Sequence, residues 1–154
     1  MKIGDFQILR GLYSGLPILL KPNCDYASLL IESEIPYKPG VYLVYSIDQN
    51  NDDDELLYYG KAGVTDNGGV PRLNFHQLPA RLVAAAIRPI DYPFSNKKFV
   101  SRSKLWPWYV ENIYHNGIRI YWFVVDWPTA NPIEIEKEIK KELSHKNSFW
   151  KKKI

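Results

Sequence analysis

Residues 40–62 read GVYLVYSIDQNNDDDELLYYGKA, and this stretch decides the fold class. Two short runs, Val41-Tyr42-Leu43-Val44-Tyr45 and Leu56-Leu57-Tyr58-Tyr59, are rich in β-branched and aromatic residues and predict strands. Between them, Asp48-Gln49-Asn50-Asn51-Asp52-Asp53-Asp54-Glu55 supplies the Asn and Asp that turns favour. The pair reads as a hairpin with an acidic tip. Each strand carries a Gly-Tyr landmark: Gly40-Val41-Tyr42 opens the hairpin and Tyr58-Tyr59-Gly60-Lys61 closes it. Side chains alternate across a strand, so a suitable register brings Tyr42 and Tyr58 to one face. Two phenols beside Lys61 make a floor suited to handling a phosphate.

Working outward, residues 1–36 predict an amino-terminal extension packed on a core at about 37–150, within a single domain. Its short apolar runs, Ile18-Leu19-Leu20 and Leu29-Leu30-Ile31, are equally compatible with buried strand and helix. After the hairpin, Thr65–Pro71 is loop by composition, and Pro79 at a first helical position followed by a run of Ala and Leu predicts a helix to about Ile87. Trp106, Tyr109 and Val110 predict the buried stripe of a helix running to about Tyr114. His115, before Asn116-Gly117, reads as a turn residue. Residues 117–126 form the clearest strand, apolar throughout after Arg119, as a central position requires. With the hairpin it makes an α+β fold, a small three-stranded antiparallel sheet flanked by helices. The last helix starts at Asn131-Pro132 with Glu134 three residues after the cap, and Ile135, Ile139 and Leu143 share one side.

Charge is distributed unevenly although the net value is only +3. Between residues 88 and 104, Arg88, Lys97, Lys98, Arg102 and Lys104 face the single acid Asp91, and from Lys137 onward seven lysines face Glu138 and Glu142. Bases interleaved with Phe99, Trp106 and Trp108 suit an anionic partner, with Lys and Arg on phosphates; a solvated basic face is the alternative meaning of such a run. A lone cysteine, Cys24, excludes an internal disulfide framework and a cysteine-based zinc site, and a reducing, cytoplasmic setting is the default expectation. No apolar run reaches the length that spans a bilayer, so no membrane association is expected.

Gly40-Val41-Tyr42 followed by Tyr58-Tyr59-Gly60-Lys61-Ala62 resembles the paired signature of the GIY-YIG nucleases, with Val for Ile in the first triplet and Tyr for Ile in the second. The acidic run between them is then an insertion. The Lys61-Ala62 continuation, the long loop and the Leu78-x-x-Arg81-Leu82 string are similar to restriction-type members. The family places an arginine after the second motif, usually as Arg-Leu-x-x-His. Arg72-Leu73-Asn74-Phe75-His76 matches that string, whereas Arg81-Leu82 matches its helical setting but has Ala85 in place of His. A helix fixes a guanidinium better than a loop does, which favours Arg81 over Arg72. Ile135-Glu136-x-x-Ile139 resembles the family's glutamate motif and points to Glu136, with Glu134 and Glu138 on the outer face. Asn147 corresponds to the family's terminal asparagine.

The resemblance implies a DNA endonuclease that uses one Mg²⁺ or Mn²⁺ and no small-molecule cofactor. Glu136 would hold the ion through oxygen. Arg81 would clamp the phosphate, and Tyr58, supported by Tyr42, would orient or deprotonate the attacking water. A phenol with a pKa near ~10 is a poor base at neutral pH, so Lys61 and the metal are expected to lower it. Arg72, Lys97, Lys98, Arg102, Lys104 and Asn147 would contact the nucleic acid. A binding module that kept this scaffold without turnover is the alternative, supported by the absent His beside Arg81. A protein-interaction domain with a basic tail is a third reading, which makes the two Gly-Tyr landmarks coincidental.

Overall fold

The computed structural model describes residues 1–50, 54–146 and 150–154. Asn147 and residues 51–53 of the acidic run lie outside the described residues. In chain order the elements are β1 (Ile18–Leu20), α1 (Tyr26–Glu32), β2 (Gly40–Ser46), β3 (Glu55–Ala62), β4 (Val64–Asn67), β5 (Val70–Leu73), α2 (Leu78–Arg81), β6 (Ala85–Ile87), β7 (Phe99–Ser101), α3 (Arg102–Asn112), β8 (Ile118–Val124) and α4 (Pro132–His145). The fold is α+β with antiparallel sheets, as the alternating and apolar runs require.

The main sheet has four strands in the order β1-β8-β2-β3, not the three expected from sequence. The additional strand comes from the amino-terminal extension: Ile18 pairs with Ile120 and Leu20 with Ile118, and both leading residues are buried. Three residues are too few for periodicity to mark as a strand, and their partners lie about a hundred positions away. β2 occupies the centre, flanked by β3 and β8, with a register irregularity between Val44 and Tyr45 on the β3 side.

Both faces of this sheet are covered. Tyr42, Val44, Ile120 and Trp122 meet Leu78 and Leu82 of α2 and Leu105, Trp106, Tyr109 and Val110 of α3. Val41, Leu43, Tyr45 and Phe123 meet Ile135, Ile139 and Leu143 of α4 together with Phe6 and Leu9. Burial on both sides explains why β2 and β8 read as nearly continuous apolar runs. The Asn131 side chain accepts from Ile133 N at 3.0 Å, capping α4 as its sequence predicts. The Trp106, Tyr109 and Val110 stripe is also buried as expected, and Arg102 joins it.

Two local expectations are overturned. Residues 64–73 form a β4–β5 hairpin around Gly68-Gly69, both at positive φ, and not a loop. The helix after Pro79 lasts one turn. The carbonyls that would continue it are taken by Arg102, whose backbone N bonds Ala84 O at 3.1 Å and whose Nη1 bonds Ala84 O at 2.9 Å and Ala85 O at 3.2 Å. Residues 85–87 then pair with β7. Tertiary hydrogen bonds outweigh the helix propensity of the alanines here.

Candidate active site

The two glycines of the Gly-Tyr landmarks are close-packing positions. A Cβ on Gly60 would lie 2.7 Å from Tyr42 Oη and 3.0 Å from Tyr58 Cε1. A Cβ on Gly40 would collide with Phe123 O and lie 2.6 Å from Leu78 Cδ1. One glycine thus makes room for the phenols, and the other lets α2 settle on the central strand. Leu78 N donates to Lys38 O at 3.0 Å and Tyr26 Oη donates to Leu82 O at 2.8 Å, which hold the short α2 in place.

That placement puts Arg81 beside Tyr58. Tyr42 and Tyr58 lie on the same sheet face with ring centroids 5.7 Å apart, as alternation predicts. Tyr58, Arg81, Arg102 and Trp106 line a cleft of about 440 Å³. Arg102 was expected on an exposed, phosphate-binding face, but it is only 4% exposed. It precedes Leu105, Trp106 and Tyr109 at helical spacing and therefore belongs to the buried stripe of α3. Its guanidinium lies 6.0 Å from the Tyr58 ring and 5.7 Å from the Trp106 ring.

Lys61 and Glu136 are on the other side of the strand. Lys61 opposes Val41, whose side chain faces α4, and Lys61 Nζ lies 3.5 Å from Glu136 Oε1 with both side chains about one-third exposed (31% and 30%). The five residues expected at the site therefore do not share one face. They are linked around the end of β3: Lys61 and Arg81 line a second, smaller cavity together with Asn74 and His76, and Arg81 also lines the cleft that holds Tyr58.

His76 is a site residue that sequence reasoning passed over. The sequence reading set it in one string with Arg72, which sits on β5, exposed and opposite Thr65. In the fold His76 lines the same small cavity as Arg81. Lys97, Lys98 and Lys104 are exposed, with Lys98 Nζ 5.5 Å from the Phe99 ring.

Three buried side-chain polar atoms among the described residues lack a hydrogen-bond partner: Tyr42 Oη, Arg81 Nε and Arg102 Nε. All three belong to residues around Tyr58, and unsatisfied buried groups clustered in this way call for a partner. Electrostatics points to the same phenol. Burial opposes ionisation of Tyr58, but a hydrogen bond from Tyr42 and the charges of Lys152, Arg102 and Arg81 outweigh it and hold Tyr58 below the usual phenol range. Lys61, the expected cause, faces the opposite side and is not among these groups. Tyr42, fully enclosed, is pushed well above that range, chiefly by burial and then by the charge Tyr58 would carry. The neutral pair lacks a well-formed bond between its hydroxyls; the Tyr42 O–H gains a full acceptor when Tyr58 ionises.

A stability test separates this arrangement from ordinary core packing. Tyr42→Phe removes a buried hydroxyl without a partner, so the variant should be more stable by about 1 kcal/mol, a rise of roughly 2–4 °C in melting temperature. A calorimetric melt showing a loss of stability would mean that the hydroxyl is already satisfied.

The metal ligation expected from sequence would rest on one carboxylate, Glu136. No cluster of three or more His, Cys, Asp or Glu side chains occurs among the described residues. Glu136 is partly exposed and held by Lys61 at a distance longer than a tight ion pair, so its donor chemistry fits a hard cation bound by one protein oxygen with water and substrate oxygens around it. No helix among the described residues is long and apolar enough to cross a membrane. Comparison of the chain with protein-family models, with curated proteins and with solved structures returns no match.

Proposed function

We propose that the chain is a divalent-metal-dependent endonuclease of the GIY-YIG type that hydrolyses DNA phosphodiesters around the end of β3 that carries Lys61. The observation that carries this reading is the cluster of unsatisfied buried donors around Tyr58, bordered by Arg81 and followed around the strand by Lys61 and Glu136. Hydrolysis needs a base for water, a cation for the charge that grows on phosphorus-bound oxygen, and relief for the leaving oxygen.

Tyr58 takes the first role. Held below the usual phenol range, it is ionised in a larger fraction of molecules near neutrality than an exposed tyrosine and accepts the proton of the attacking water. Tyr42 donates to the resulting phenolate and keeps its own proton. As the water oxygen bonds to phosphorus and the opposite P–O bond breaks, Arg81 donates to the non-bridging oxygens from the wall shared by the two cavities. Lys61 holds the Glu136 carboxylate in place and lies within reach of the same phosphate. Glu136 would hold Mg²⁺ or Mn²⁺, which when bound supplies Lewis-acid stabilisation of the phosphate and the leaving oxygen. Exposed Lys97, Lys98 and Lys104 would neutralise flanking phosphates without reading sequence.

The direct test is nicking of supercoiled plasmid in Mg²⁺, with EDTA as control. The wild-type chain should cut and EDTA should stop it, while Tyr58→Phe should cut slower by on the order of 10²–10⁴-fold, the usual worth of a general base. Salt-sensitive binding without cutting would identify a binding module on this scaffold instead.

A further inference from the structure

Residues 150–154 lie across the outer edge of β3 and are fastened to it at several points. Trp150 Nε1 donates to Leu56 O at 2.9 Å, and its ring lies 4.8 Å from that of Tyr59. Lys153 N donates to Leu57 O at 3.0 Å, and Lys153 Nζ forms an ion pair with Glu55. Ile154 packs against the core cluster that contains Tyr42 and Trp106. Between these anchors stands Lys152, whose Nζ is 4.5 Å from the centre of the Tyr58 ring and which lines the same cleft as Arg81.

We propose that residues 150–154 are a strap whose purpose is to present Lys152 to Tyr58, making Lys152 a positioning residue that readies this phenol for the hydrolysis proposed above, on which the inference rests. A lysine beside an aromatic ring is usually surface decoration. Here two backbone carbonyls of β3, an ion pair and two packed side chains hold the flanking residues, although ordering a polar, lysine-rich segment opposes them all. These two hydrogen bonds also satisfy part of the edge that β3 would otherwise expose. The groups that face the Tyr58 phenol are Tyr42 from β2, Arg81 from α2, Arg102 from α3 and Lys152 from the strap. Arg102 is tied to the carbonyls of residues 81, 84 and 85, and Arg81 also lines the second, smaller cavity. Lys152 is the nearer of two cations over the ring, 4.5 Å from its centre against 6.0 Å for Arg102, and its charge favours the phenolate.

The full chain labelled with ¹³Cζ-tyrosine provides the test, with the Tyr58 resonance assigned from Tyr58→Phe. Lys152→Met should move the Tyr58 titration upward by about 1 unit or more, as loss of a cation within 4–6 Å predicts. Lys152→Arg should restore it, and Lys151→Met, on an exposed neighbour, should leave it in place. In the nicking assay the acidic limb of the pH–rate profile should move to higher pH by the same amount. The rate of Lys152→Met should then be about tenfold lower below the limb, converging on wild type above it, with little change in KM. A residue that only binds phosphate would raise KM at every pH and leave the titration unmoved. An unmoved Tyr58 titration in Lys152→Met overturns the proposal, as does faster cutting after removal of residues 150–154, which would make the strap a barrier. Wild-type protein that cuts no DNA overturns the nuclease reading alone, since the titration needs no substrate.

Discussion

Glu136→Gln is expected to nick plasmid more slowly than wild type by on the order of 10²–10³-fold at saturating DNA, the scale on which a lost transition-state contact registers. The same variant should bind DNA within a few-fold of wild type. The reasoning begins with α4. Ile135, Ile139 and Leu143 bury one side of this helix against β2 and β3, and Glu136, one residue beyond Ile135, is carried to the border of the buried face. There it meets Lys61 at 3.5 Å. Glutamine keeps the shape and a hydrogen bond to Lys61 but loses the charge that a hard cation requires. Glu134→Gln is the control: its side chain is 64% exposed and pairs with Lys137 within the helix, so cutting should be unchanged. Equal cutting by Glu136→Gln and wild type would remove this carboxylate from the chemistry, and the metal with it.

Arg102→Met should lower the melting temperature by roughly 3–6 °C, following from about 1.5 kcal/mol for a chain of this size. Arg102 Nη1 serves the carbonyls of Arg81, Ala84 and Ala85 at 3.4, 2.9 and 3.2 Å. Methionine fills much of the space but removes three side-chain hydrogen bonds. Arg81 O keeps its bond from Ala84 N at 3.2 Å and Ala84 O keeps the backbone N of residue 102 at 3.1 Å, so neither is orphaned, and the loss is that of hydrogen bonds from a charged donor, about 1–3 kcal/mol. Relief from burying a charge offsets part of that loss, which keeps the net figure in the lower part of that range. Arg102→Lys should fall between the two, since an ammonium reaches a carbonyl but lacks the planar fork that lies near both the Tyr58 and Trp106 rings. Arg102→Met should also slow cutting, because the chain after α2 is no longer held and Arg81 sits at its start. A melt within about 1 °C of wild type, against the fall expected for lost buried hydrogen bonds, would show that the loop keeps its carbonyls satisfied without Arg102.

The expected elements that survive folding are those whose signal is local. The hairpin strands, the apolar strand through Ile120, the capped helix from Pro132 and the stripe of Trp106, Tyr109 and Val110 each carry a period or cap readable within a dozen residues. The strand at Ile18–Leu20 was not legible, because three apolar residues become a strand only when β8 supplies the partner. The helix expected to about Ile87 failed for the converse reason: a strong local propensity lost to hydrogen bonds from Arg102, which lies some twenty positions downstream.

The candidate site divides along the same line. By itself the sequence determined that two Gly-Tyr pairs mark the hairpin, that Tyr42 and Tyr58 share a face, and that Glu136 borders a buried helical stripe, since alternation in a strand and the helical repeat are properties of the local backbone. Only the tertiary structure decided that Lys61 and Glu136 lie across the strand from the phenols, that Arg102 is buried, and that His76 and Lys152 reach the site. Those outcomes depend on which strand is left at the sheet edge and on which distant segments pack beside it. Neither is encoded in any window short enough for a periodic pattern to report.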